Sequence, residues 1–127
     1  MKKFSSILLF SGGIDSLCAY HFLEHPQTLY FDLRNRYAQK EKKAVLNLIP
    51  STLIDMSLDF SDREFGQNAH IPFRNLILAA QAVKYSDTIY IVGTKDDLVS
   101  DKNERIFDEM SKLLSILEQR DIKILSP

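Results

Sequence analysis

Phe10-Ser11-Gly12-Gly13-Ile14-Asp15-Ser16 is the stretch on which the reading of this chain turns. Before it runs Ser6-Ile7-Leu8-Leu9-Phe10, a continuous apolar segment of strand length, the pattern of a strand buried on both faces. After it, Ile14, Leu17, Cys18, His21 and Phe22 recur at helical spacing until Pro26 ends the pattern. A buried strand therefore enters a two-glycine turn and leaves it directly as a helix. In that geometry the amides of the turn and of the first helical turn converge. They form an anion nest, reinforced by the positive end of the helix dipole. Gly12 and Gly13 permit positive φ and the close approach of a phosphate, which a Cβ would obstruct. Ser11 and Ser16 add hydroxyl donors. Asp15 puts a carboxylate beside an anion site, which makes chemical sense with a divalent cation between the two. For a bare Gly-Gly pair the alternative is turn chemistry alone, with Asp or Ser capping the helix. No Lys-Ser or Lys-Thr pair follows the glycines, so the loop is not a Walker A loop.

The bulk properties bound the rest. A chain of 127 residues, 45% hydrophobic and 26% charged, has the size and composition of one globular domain spanning residues 1–127. A formal net charge of -1 exerts no global pull toward nucleic acid. No apolar run approaches membrane-spanning length, and Met1-Lys2-Lys3-Phe4 runs straight into the first strand with no cleavage site after it. The expected compartment is the cytoplasm. The single cysteine, Cys18, excludes an internal disulfide and a multi-cysteine zinc site, so no zinc is expected. Its place on the apolar stripe of the first helix predicts a small core residue.

Along the chain, strands and helices alternate. Thr28-Leu29-Tyr30-Phe31-Asp32-Leu33 reads as a second strand ending in a carboxylate. Tyr37, Ala44, Val45, Leu48 and Ile49 mark an amphipathic helix closed by Pro50. The basic run at its start, Arg34 to Lys43, is a solvated helix face or brings Arg34 or Arg36 to a ligand's phosphates. Ser51-Thr52-Leu53-Ile54-Asp55-Met56 reads as the third strand. Residues 57–71 form an irregular stretch of the length of a lid or binding loop. Pro72-Phe73-Arg74-Asn75 opens a helix with the stripe Leu76, Ala79, Ala80 and Val83. Thr88-Ile89-Tyr90-Ile91-Val92-Gly93 is the fourth strand, followed by the polar loop Thr94 to Asp101. Ile106, Met110, Leu113, Leu114 and Leu117 give the last helix the cleanest period, predicting a core stripe, and Ile122-Lys123-Ile124-Leu125 closes as a fifth strand. This alternation predicts an α/β fold, a doubly wound five-stranded parallel sheet with helices on both faces. Ligand should bind at the carboxyl ends of the strands beside the topological switch point, bordered by the first loop, Asp32 to Arg36, Arg74-Asn75 and Gly93 to Asp101. His21, His25 and His70 show no metal-ligand spacing with other ligands, and His21 reads as a packed residue at the edge of the core.

The string Ser-Gly-Gly-Ile-Asp-Ser at a strand–helix junction resembles the signature of the PP-loop ATP pyrophosphatases. Within that group the chain is similar to the 7-cyano-7-deazaguanine synthase family of queuosine biosynthesis. Phe31-Asp32-Leu33-Arg34-Asn35-Arg36 resembles that family's Phe-Asp-Tyr-Gly-Gln-Arg, and Ile71-Pro72-Phe73-Arg74-Asn75 resembles its Val-Pro-Gly-Arg-Asn. Val92-Gly93 with Asp97, Ser100 and Asp101 resembles its loop after the fourth strand. The family's four zinc cysteines have no counterpart, Phe73 stands where it has glycine, and its Tyr-Gly-Gln is missing.

The resemblance implies a Rossmann-like, HUP-type sheet of order 3-2-1-4-5 that binds ATP and Mg²⁺. It implies nucleotide contacts from Phe10, Ser11, Gly12, Gly13, Ile14, Asp15 and Ser16, with Phe31, Asp32, Arg36, Arg74, Asn75 and Gly93. Catalytic roles fall to Asp15, Ser16, Lys95 and Asp97, acceptor binding to Asp97 and Asp101, and the magnesium to Asp15. The implied reaction adenylates an acceptor (a 7-deazaguanine precursor, another nucleobase or a small carboxylate) and releases pyrophosphate and AMP. Two other readings remain open: a nucleotide-binding module without turnover, acting as a sensor or assembly subunit, and a half-enzyme completed across a homo-oligomer.

Overall fold

Ile7–Leu9 form β1, the central strand of the sheet, and two of its three residues are wholly buried, as a two-sided apolar run requires. The computed structural model describes residues 4–34, 37–59, 61, 74–92 and 104–127. Along them lie α1 (Ile14–Phe22), β2 (Gln27–Phe31), α2 (Ala38–Leu48), β3 (Leu53–Asp55), α3 (Arg74–Ala82), β4 (Thr88–Tyr90), α4 (Glu104–Glu118) and β5 (Lys123–Leu125). All four strand pairings are parallel and the order is β3-β2-β1-β4-β5. The fold class is therefore the expected one. Strand order reverses between β1 and β4, and a crevice opens there at the carboxyl ends. Among the described residues no helix is long and apolar enough to cross a membrane.

The sheet separates two cores. On one face α3 and α4 press Leu78, Ala79, Ala82, Phe107, Met110 and Leu114 onto Ile7, Leu29, Ile89 and Ile124. On the other, α1 and α2 cover Leu8, Phe10 and Tyr30 with Ala19, Val45 and Ile49. The sheet's edge at β5 is closed by a helix. Ser111 and Ser115 of α4 accept the Ile124 and Ile122 amides through Oγ, both at 2.8 Å. Lys123 and Leu125 bond instead toward the β4 side, to the Asp87 carbonyl and from the Ile91 amide. Two residues of strand rise about 6.6 Å and four of helix about 6 Å, so serines one turn apart match alternate amides of an open edge.

Helix faces are where the sequence expectations need correcting. Cys18 is exposed rather than core, and Ile14 and Phe22 are 80% and 76% exposed. The residues that α1 buries are Ser16 and Ala19, with Leu17, Tyr20 and Leu23 packed beside them. A helix lying flat on a sheet puts small side chains at the line of closest approach, and bulky ones are displaced to its flanks. The core face of α4 is also rotated from the expected stripe, here toward Phe107. Met110 and Leu114 are buried with Phe107, whereas Ile106, Leu113 and Leu117 are exposed. In α2, Val45 and Ile49 are buried but Tyr37 and Leu48 are exposed, and in α3 Ala80 faces out while Leu78 faces in.

Candidate functional site

The loop between β1 and α1 owes its shape to two glycines with different tasks. Gly12 has φ 83°, the left-handed region that side chains disfavour, and a Cβ there would stand 3.3 Å from Val45 Cγ2. It is the close packing partner of α2 and does not line the crevice. Gly13 is the N-cap of α1 in extended conformation, and a Cβ on it would meet nothing closer than Ser11 Oγ at 3.7 Å. The open glycine of the pair is thus the second, on the crevice side.

Among the described residues no side chain caps α1, whose first intrahelical bond is Leu17 N–H to the Gly13 carbonyl at 3.0 Å. The amides of Ile14, Asp15 and Ser16 therefore precede the ladder, as the first amides of any helix do. Ser11 and Ser16 join their hydroxyls at 2.9 Å, and the Ser11 amide donates to Ser16 Oγ at 3.4 Å, closing the loop on itself. Ser16 is buried, so its hydroxyl shapes the loop from within, while Asp15 stands exposed at the mouth.

The crevice has a volume of about 520 Å³, inside the range of about 300–1,000 Å³ usual for small-molecule sites. Phe10, Ser11, Gly13, Ile14, Asp15 and Ser16 line it from the loop, Phe31 from β2, and Arg74 and Asn75 from the first turn of α3. The first residues of two helices, α1 and α3, thus contribute to its wall. Asp32 does not line it. That carboxylate is buried, accepts the Arg34 amide at 2.9 Å and pairs with Lys42 Nζ at 3.1 Å. Its task is to shape the turn after β2 and tie it to α2. Arg36, Gly93, Lys95, Asp97 and Asp101 lie outside the described residues, as do most of the 57–71 stretch, His70 and Pro72-Phe73.

Sequence reasoning missed the pair on the opposite wall. Tyr30 of β2 donates its hydroxyl to Glu41 Oε1 at 3.0 Å, with the Ala38 carbonyl at 3.4 Å, and both Tyr30 and Glu41 line the crevice. Burial foremost, then the Glu41 carboxylate, pushes the Tyr30 phenol far above its ordinary value, with Arg74 acting weakly in the other direction. Tyr30 is therefore a permanent hydroxyl donor. The signal was partly present, because β-strand alternation puts Tyr30 on the α2 side, but the helix register that brings Glu41 to it is a tertiary fact.

For magnesium the described crevice offers two carboxylates, Asp15 and the Glu41 that already accepts from Tyr30, and no group of three His, Cys, Asp or Glu able to hold a metal occurs among the described residues. That set does not suit an ion caged by protein. It does suit Mg²⁺, which binds through one or two carboxylates while phosphate oxygens and water fill its other positions. No protein-family model matches the chain, and the comparison with curated proteins returned no match either.

Proposed function

We propose that the chain is an ATP-binding enzyme of the PP-loop pyrophosphatase type, which transfers AMP to an acceptor and releases pyrophosphate. The single observation that carries this reading is the meeting of the Ser11–Ser16 loop with the start of α3 at one crevice, at the reversal of strand order. Polyphosphate would lie against the uncapped amides of Ile14, Asp15 and Ser16, over the open side of Gly13. Arg74 would supply a positive charge across the cavity, and Asn75 a neutral donor. The apolar walls from Phe10, Phe31 and Leu33 suit the nucleoside end of the ligand. Magnesium would be held by Asp15 together with the phosphates, and it would supply charge neutralisation to the departing pyrophosphate. The loop's own contribution is electrostatic and geometric: fixed amides need no reorganisation as negative charge moves onto the leaving group.

The acceptor class within this reading remains that of the resemblance, a 7-deazaguanine precursor, another nucleobase or a small carboxylate. A second reading, nucleotide binding without turnover, draws on the charge of the crevice. Among its described lining residues Asp15 and Glu41 face a single cation, Arg74, which is little positive charge for a leaving pyrophosphate. Incubation with radiolabelled ATP and Mg²⁺ across those acceptor classes decides between the two. Pyrophosphate and the adenylated acceptor are the expected products, with free AMP following once ammonia or water displaces it from the acceptor, and tight ATP binding without them selects the second reading. Asp15→Ala should lower turnover by about a hundred-fold or more while leaving the far-ultraviolet circular dichroism unchanged. Undiminished turnover would remove Asp15 from the chemistry.

A further inference from the structure

At the other end of α1 the chain makes an unusual turn. Leu23 ends the helix, and Glu24 and His25 both adopt left-handed backbone, with φ of 61° and 63°. Two consecutive non-glycine residues in that region are strained, and such strain persists where surrounding contacts enforce it. The turn is held by the Glu24 amide on the His21 carbonyl at 3.1 Å and the His25 amide on the Tyr20 carbonyl at 2.8 Å. Its effect is to fold the His25 ring back over the helix, stacked on Tyr20 at 4.8 Å between centroids and 28° between planes. His21 meets the same tyrosine edge-on at 5.5 Å. The two imidazoles end hydrogen-bonded to each other, His21 Nδ1 and His25 Nε2 3.0 Å apart, and both are exposed, so His21 is not the packed core-edge residue that the sequence suggests.

We propose that His21 and His25 form a two-histidine chelate for a divalent transition cation, copper(II) or nickel(II), at the end of α1 remote from the crevice. Two imidazoles held in direct contact at one exposed point bring together the commonest protein donors for such ions. Metal binding would replace that hydrogen bond, the donor ring changing tautomer to free its nitrogen. The affinity order of first-row divalent ions for imidazole donors peaks at copper(II). Tyr20 fixes both rings, which keeps the donors from dispersing into separate rotamers. No further His, Cys, Asp or Glu completes a set of three among the described residues, so water or a small ligand takes the remaining positions.

The test is calorimetric titration of the tag-free full chain with copper(II) chloride or nickel(II) chloride alone, with the visible spectrum of the copper complex as a second readout. One equivalent per chain is expected, with copper binding more tightly than zinc. His21→Ala should weaken binding at least ten-fold. His25→Phe should do the same while keeping an aromatic ring stacked on Tyr20, and its melting temperature separates metal loss from misfolding. Absence of a stoichiometric site, or binding undiminished in the double variant, would overturn the proposal. Binding tighter for zinc than for copper would overturn the assigned cation.

Discussion

The two sides of the sheet are built to different ends. Among the described residues the α3/α4 side gathers fifteen buried ones around large side chains such as Phe107, Met110 and Leu114, whereas the α1/α2 side gathers six. Burial is the main source of stability, so the first side holds the fold and the second is free to specialise. The specialisation is visible in α1, which meets the sheet through Ser16 and Ala19 and leaves Ile14, Asp15 and Cys18 exposed. Of the first turn of α1 only Ser16 is buried, while Ile14 and Asp15 stay exposed. The contrast teaches that the β1–α1 loop is carried by a well-packed opposite layer more than by its own helix.

Three measurements press on that contrast, the strongest first. Phe107→Ala, a truncation at a residue 3% exposed, should cost about 3–5 kcal/mol in urea unfolding. A cost near zero would mean that the α4 layer is not the anchor.

Acid should reveal the next largest contribution, at the end of β3. Asp55 is buried, which by itself raises its pKa. Hydrogen bonds from Ser57, the Tyr85 hydroxyl at 2.6 Å and Lys84 at 3.0 Å outweigh that and hold the carboxyl at about 2. The unfolded chain titrates at the ordinary 3.8, so between these values the unfolded state binds more protons. The stabilisation is whole above pH 3.8 and is lost as the pH falls toward 2, an amount of about 2 kcal/mol. The stability gap between the parent chain and Asp55→Asn should therefore narrow over that window, and a gap independent of pH would refute it. The Tyr85 partner, pushed up to about 12 by burial and by Asp55, stays protonated throughout.

The smallest effects in stability separate the two glycines. Gly12→Ala should cost about 1–2 kcal/mol from its left-handed backbone, with added crowding against Val45. Gly13→Ala should change stability by less than about 0.5 kcal/mol, since nothing lies within 3.7 Å of the new methyl. It should nevertheless weaken ATP binding about ten-fold, or about 1.4 kcal/mol, by occupying the open side of the loop. Equal stability losses at both positions would erase the distinction between packing glycine and ligand glycine.

What the amino-acid sequence by itself determined was the architecture: strand-length apolar runs alternating with helical patterns, and a Ser-Gly-Gly-Ile-Asp-Ser junction where a β1–α1 turn stands. Those features depend on periodicity and local backbone chemistry, which a linear string carries in full. Periodicity also placed Val45, Ile49, Ala79, Val83, Met110 and Leu114 on buried faces, but the tertiary structure decided the rotation of α1 and α4 about their axes, because that follows from how closely a helix can approach the sheet. Cys18 outside and Ser16 inside are its consequence. It alone withdrew Asp32 from the crevice into its pair with Lys42, and brought Glu41 onto Tyr30 and His25 back onto His21. Each of those meetings joins residues whose distance is set by helix register or by an irregular turn, and neither leaves a periodic trace in the sequence.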